Sequence, residues 1–254
     1  MTSIAFAALF ALAVLLFLWS TYRRFRLVAL GQPEKRWDRP ARRLWNMFYY
    51  AFLQRRVLSR TFGVNHFLLF WCFIILLGAN LEFVGHGLFP DTIALSRLPQ
   101  GAHHALAYLF DIVSVLALAA VVIALARRIL FPPPYIEARS ADAFVILSLV
   151  GLLMIAFFGL HGAEIAQGVE EAEDAMPISS FVASTFFDGG SADALGRWAD
   201  GFWWLHALIL LGFLNYLPYS KHIHVLTAIP NCFFRSLDEV RTVPRETFEL
   251  GNTF

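Results

Sequence analysis

The sequence predicts an all-α integral membrane protein, a five-transmembrane-helix bundle with its N-terminus outside and its C-terminus cytoplasmic. Three observations carry that prediction. The 254 residues are 58% hydrophobic and 15% charged, at a mean hydropathy of +0.61, where soluble domains run near half apolar and about a quarter charged. The apolar residues gather into five stretches, each close to the ~20 residues that cross ~30 Å of hydrocarbon. The basic residues fall almost wholly in alternate connections, the pattern that sets orientation. Twenty basic and nineteen acidic residues nearly cancel, so net charge selects no partner, and no nucleic-acid partner is expected.

The first span is predicted at about 3–22. "MTSIAFAALF" has no basic region ahead of its apolar run, and "YRRFR" follows it, so this is an anchor and not a cleaved leader. Residues 23–63 form a basic cytoplasmic connection, in which 40–56 read as an amphipathic helix on the anionic inner surface. Further spans are expected at about 64–88, 102–126, 141–167 and 199–219, the last continuing as helix to about 228. "FPPPY" (131–135) ends the third span, because proline cannot continue a helix. Eleven Lys and Arg residues lie in 21–63, three in 127–139 and four from 219 onward, against one in 89–101 and one in 168–198. With the N-terminus outside, eighteen of twenty are cytoplasmic. Residues 1–228 are thus read as the membrane domain and 229–254 as a cytoplasmic tail leading to a partner.

Histidine placement suggests a cofactor. His66 enters at the inner end of the second span and His224 follows the inner end of the fifth, while His206 and His161 lie in the outer halves of the fifth and fourth. His206 and His224 are eighteen residues apart, which on one regular helix is about five full turns and ~27 Å, so they share a face. Imidazoles paired near each surface suit bis-histidine haem b, two such haems giving a path across the bilayer and one being the alternative. The expected pairs are His66 with His224 and His206 with His161, with His222 and His86 as alternative ligands. Arg55, Arg56 and Arg60 are candidates to meet the inner haem's propionates. A hydrogen bond between helices is the plainer reading; it stands beside ligation for His86 and His103 and is preferred for His104.

Glu82 and Glu164 lie inside the spans near His86 and His161. A carboxyl group in hydrocarbon is costly and points to function, here proton exchange with membrane quinone as substrate. Lys221 and His222 mark an alternative quinone site at the inner end. Cys72 and Cys232 are the only cysteines, too few for a four-cysteine cluster, so iron–sulfur clusters belong to a partner.

"NHFLLFWCFIILLG" (65–78) and "WWLHALILLGFLNYLPYSKHIHVLTAIPN" (203–231) resemble the nitrate reductase gamma-subunit type of cytochrome b. The nearer resemblance is to the membrane domain that precedes heterodisulfide-reductase-like iron–sulfur domains. It implies b-type haem held from the second and fifth helices, with His66, His206 and His224 in the ligand positions. It further implies electron exchange between a cytoplasmic iron–sulfur subunit or domain and quinone in a bacterial inner membrane, an electron-transfer flavoprotein being one candidate donor. The gamma pattern places another histidine about three turns after the first, where this chain has Leu76. A transporter or channel and a passive anchor are the competing readings; no internal repeat or Gly/Pro-broken midplane helix favours transport.

Overall fold

A computed structural model describes residues 2–90, 92–132 and 140–237. Its α-helices are α1 (Thr2–Phe25), α2 (Pro40–Met47), α3 (Gly63–Leu88), α4 (Gln100–Leu130), α5 (Ala141–Gln167), α6 (Pro177–Phe186), α7 (Ala192–Tyr216) and α8 (His224–Phe234). No strand occurs among the described residues. Helices α1, α3, α4, α5 and α7 form the five segments long and apolar enough to cross a membrane. They bring residues 26–62 to one end of the bundle, the basic end, and residues 92–99 and 168–191 to the other, the acidic end.

Helix α5 is the centre of the bundle. It packs against α4, α6 and α7, burying Leu153, Met154, Ala156, Phe157, Phe158 and Ala163. Helix α1 is peripheral: Leu12, Leu15, Leu16 and Trp19 are exposed to what lipid would cover, while Phe6 is fully buried edge-on to Trp203. All of this is the outcome expected when helices bury small and aromatic residues against each other and leave leucine to the bilayer.

Two features differ from the sequence expectation. The fifth span does not run on as helix to 228. It ends at Tyr216, passes through 3₁₀ turns at Leu217–Tyr219 and Lys221–Ile223 around an extended Ser220, and restarts as α8. Pro218 disfavours continuation, and Ser220 Oγ then accepts the His222 N–H to start the next turn. The break is pinned from α5: Asp142 accepts the Tyr216 hydroxyl and, at 2.8 Å, the Lys221 N–H. The acidic connection, to which the sequence reading assigned no element, also holds a helix, α6. The "FPPPY" stop lies partly outside the described residues, as does the tail beyond Leu237.

The amphipathic segment expected at 40–56 is helical through α2 and a π-helical turn, Phe48–Phe52. It also clasps α8. Arg43, 3% exposed, donates to the Phe233 and Arg235 carbonyls at 3.1 and 2.9 Å, Arg36 to the Phe234 carbonyl at 2.6 Å, and Trp37 packs on Phe233 and Phe234. These donors meet the carbonyls that every helix C-terminus leaves unpaired. Asp38 orients Arg43 through a 2.6 Å contact, and the hydrogen bonds from Arg43 and Arg39 hold its carboxyl at about 2, below its ordinary 3.8. A carboxyl group depressed on folding stabilises above its ordinary value and loses that contribution as pH falls through the folded one. The clasp is therefore expected to loosen between pH ~4 and ~2. The fluorescence of Trp37, isolated by difference from Trp37→Phe, should shift to longer wavelength over that window and not between pH 8 and 5.

Candidate functional site

Two cavities lie in the bundle, one toward each end. The basic-end cavity, about 330 Å³, is lined by His66, His222, His224, Arg127, Arg128 and Lys221 over apolar walls from Leu69, Phe70, Phe73, Ile123 and Leu147. No carboxylate lines it among the described residues. The acidic-end cavity, about 320 Å³, is lined by four histidines (His86, His103, His161 and His206) and four glutamates (Glu82, Glu164, Glu170 and Glu171). Among the described residues no Lys or Arg lines it.

In the basic-end cavity, the rings of His66 and His224 have centroids 6.2 Å apart. A metal held between two imidazoles at about 2 Å from each nitrogen puts the ring centres roughly 6 Å apart. Both rings are fixed from behind. His66 Nδ1 donates to Gln54 Oε1 at 3.1 Å, and His224 Nδ1 donates to the Lys221 carbonyl at 3.0 Å. Each protonated Nδ1 leaves the Nε2 lone pair for a metal, the usual arrangement of a ligating histidine. Gln54, 4% exposed, holds a left-handed backbone at φ 46° to do this, the kind of local strain that gathers at functional sites. Gly63 permits the approach: a Cβ there would lie 1.8 Å from the Val57 carbonyl oxygen in the turn after Gln54. The ring of His222 is 5.0 Å from that of His224. Burial first, then the nearness of His224 and His66, pushes His222 down to about 4, so it is neutral at physiological pH.

The basic side chains of this cavity are not those expected. Arg55 donates to the Tyr49 hydroxyl and Arg56 lies over the Tyr50 ring; neither they nor Arg60 line the cavity. Arg127 and Arg128, from the last turn of α4, do. The Arg127 guanidinium stacks 3.6 Å from the Phe62 ring centre, and its buried Nε has no hydrogen-bond partner. Lys221 and His222, the alternative quinone residues, share the cavity with the His66–His224 pair.

His206 and His161 both line the acidic-end cavity. The described ring contact of His206 is with Phe83 and that of His161 is with Phe157. His206 Nε2 donates to Asn80 Oδ1 at 3.0 Å, and the Asn80 amide is oriented by its own 2.8 Å bond to the Leu76 carbonyl. His206 Nδ1 is left buried and unpartnered. His161 Nδ1 donates to Glu170 at 2.9 Å and lies 3.6 Å from Glu164. Gly168, at φ 75°, closes α5 in the left-handed turn that favours glycine and folds the chain back so that Glu170 reaches over the last turn. Burial raises the Glu170 carboxyl, but the bond from His161 and that residue's charge outweigh it, holding Glu170 below its ordinary value. Glu82 accepts the Leu95 N–H at 3.3 Å, and His86 donates to the Ile93 carbonyl at 3.2 Å.

Asp111 completes this end. Fully buried in α4, it accepts the Ile178 N–H (2.7 Å), the Ser179 N–H (3.1 Å) and the Ser179 hydroxyl (2.7 Å). It caps α6 from another helix. Sequence reasoning missed Asp111, Gln54, Asn80, Asp142, Glu170, Arg127 and Arg128. The polar letters inside apolar runs at Asn80 and Asp111 were the available signal; Gln54 offered none.

The geometry defines an all-helical, multi-pass bundle with an anion-attracting cavity at one end and a carboxyl-rich cavity at the other. The chain is 26% identical over 237 residues, 89% of its length, to the EtfAB:quinone oxidoreductase of Syntrophomonas wolfei subsp. wolfei. It is 29% identical over 252 residues, 97% of its length, to the probable iron-sulfur-binding oxidoreductase FadF of Bacillus subtilis. Both relatives are named as oxidoreductases, and the chain spans about a third of the length of each. No protein-family model matches the chain, and no solved structure matches it.

Proposed function

We propose that the chain is the membrane haem domain of a quinone-linked oxidoreductase, carrying one haem b between His66 and His224. The observation that carries this reading is the facing pair of imidazoles, each with Nδ1 bonded to an oxygen acceptor, in an apolar cavity rimmed by Arg127, Arg128 and Lys221. Bound there, haem supplies a one-electron carrier tuned by its ligands and surroundings. The chain's residues present two Nε2 atoms, exclude water with Leu69, Phe70 and Phe73, and offset the ligand's carboxylates with guanidinium and ammonium groups. The positive-inside pattern supports a cytoplasmic basic end and an N-terminus outside. An iron–sulfur partner, in a relative of the named kinds serving electron-transfer flavoprotein, exchanges electrons there.

Two haems, the fuller expectation, fit less well. A haem brings two propionates, and the acidic-end cavity offers them four carboxyl groups and no cation among the described residues. Leu76, where the gamma-type pattern has a histidine, is 6% exposed and packed in the core. That cavity suits neutral quinol. Its oxidation would break two O–H bonds and release two protons and two electrons, the protons to side chains of the cavity and the electrons one at a time to a one-electron acceptor such as a bound haem would supply. His206 Nδ1 is a buried acceptor for a hydroxyl, and Glu82, Glu164 and the His161–Glu170 couple are proton acceptors of the right class. On α3 the two cavity linings are three residues apart, Phe73 and Leu76, about 4.5 Å of rise.

The test is the visible spectrum of the purified protein. Reduced-minus-oxidised α and Soret bands are expected, with one haem per chain by pyridine haemochrome; a colourless, iron-free preparation overturns the reading, and two haems per chain overturn the count. Gly63→Ala should push the Gln54–Val57 turn off α3 and remove the acceptor behind His66. Losing such a partner costs about 10–100-fold in metal affinity, so haem content should fall in a dilution series that leaves the parent protein loaded.

A further inference from the structure

We propose that His161, Glu164 and Glu170 form a binding site for a divalent metal cation, entered from the acidic end. One ligand atom from each, the His161 Nδ1 and a carboxylate oxygen from each glutamate, lies within 4.8 Å of the others. Two of those separations are 2.9 and 3.6 Å. Nitrogen and oxygen ligands at about 2.0–2.2 Å around a tetrahedral ion stand roughly 3.3–3.5 Å apart, so the cluster closes on an ion with small side-chain movement. The set is mixed imidazole and carboxylate, which suits zinc or a neighbouring transition metal better than calcium. His161 Nδ1 gives up its proton on binding, because a ligating imidazole nitrogen must be unprotonated.

A second, independent observation points to a ligand in this cavity. His206 is 6% exposed and its Nδ1, buried in the same cavity's wall, has no hydrogen-bond partner. A buried acceptor of this kind is normally satisfied by protein or ordered water, and a water carried by a bound cation supplies the missing donor. Charge agrees. Glu82, Glu164, Glu170 and Glu171 face the cavity without an opposing Lys or Arg among the described residues, and a divalent ion offsets that excess. Access is open, the His161 and Glu164 side chains being 25% and 31% exposed.

The consequence for turnover rests on the quinone reading above: a cation held on these carboxylates excludes the protons that quinol would deliver to them. The experiment uses the haem-loaded full chain, stripped with chelator and dialysed against micromolar Zn²⁺. One saturable Zn²⁺ per chain is expected, with affinity at least about tenfold weaker in both His161→Ala and Glu170→Gln. Zero saturable sites, or unchanged affinity in both variants, overturns the site; the haem spectrum, generated at the other end, reports that each variant is folded. Saturating Zn²⁺ should also slow quinol-driven haem reduction. If zinc binds at the cluster and reduction is unaffected, the cation site stands and the placement of quinone is overturned.

Discussion

His66→Ala and His224→Ala are each expected to abolish the b-type spectrum of the purified protein. Each removes one imidazole of the His66–His224 ring pair, and each leaves the other with its Nδ1 still bonded, to Gln54 or to the Lys221 carbonyl. Under the proposed function, the one remaining imidazole would have to hold the ligand alone. His222→Ala should keep the spectrum, because His222 contacts Phe213 and His224 from the side and is not in the His66 ring pair. Haem content per chain, measured after matched expression with haem precursor, checks all three. Full haem in His66→Ala would remove the basis of the proposed function.

The second large effect is on stability. Asp111→Ala removes the acceptor for three donors at the start of α6, and both Asp111 and Ser179 are fully buried. A buried donor left unpaired costs about 1–3 kcal/mol, and bonds to an ionised acceptor lie at the upper end of the range. Relief of the buried charge offsets part of this, leaving a net loss of about 3 kcal/mol. For a chain of this size that lowers Tm by roughly 6–12 °C in detergent. The haem spectrum should persist below the new Tm, because Asp111 acts at the acidic end. Asp111→Asn should fall between the two, keeping one acceptor oxygen but presenting an amide donor to two N–H groups. A Tm within 2 °C of the parent for Asp111→Ala would mean that α6 is not held by this cap.

The parts of the structure that were legible are those with a sequence period or a required length. Five spans could be read because hydrocarbon thickness imposes a length and apolar residues declare themselves. The approach of His66 to His224 was anticipated from depth alone, although the argument from helical phase assumed a continuous helix that Pro218 and Ser220 interrupt. His224 follows two 3₁₀ turns held by hydrogen bonds from the Lys221 N–H to Asp142 and from the His222 N–H to Ser220, which no periodicity encodes. Partners distant along the chain were invisible for the same reason. Asp111 meets Ser179 across 68 positions and His206 meets Asn80 across 126, and a single sequence carries no signal for which pairs meet. Arg55, Arg56 and Arg60 were chosen by nearness in sequence to His66, whereas α4 returns Arg127 and Arg128 to the same depth from another helix.

Under the proposed function, the opposite polarity of the two cavities, cationic toward one end of the bundle and carboxyl-lined toward the other, makes turnover sensitive to voltage. Protons handled at one surface and electrons taken at the other amount to charge displaced through the dielectric, and a full elementary charge crossing it is worth ~2.3 kcal/mol for every 100 mV. On that reading, an energised membrane is expected to drive turnover in one direction and brake it in the other, with no moving helix required.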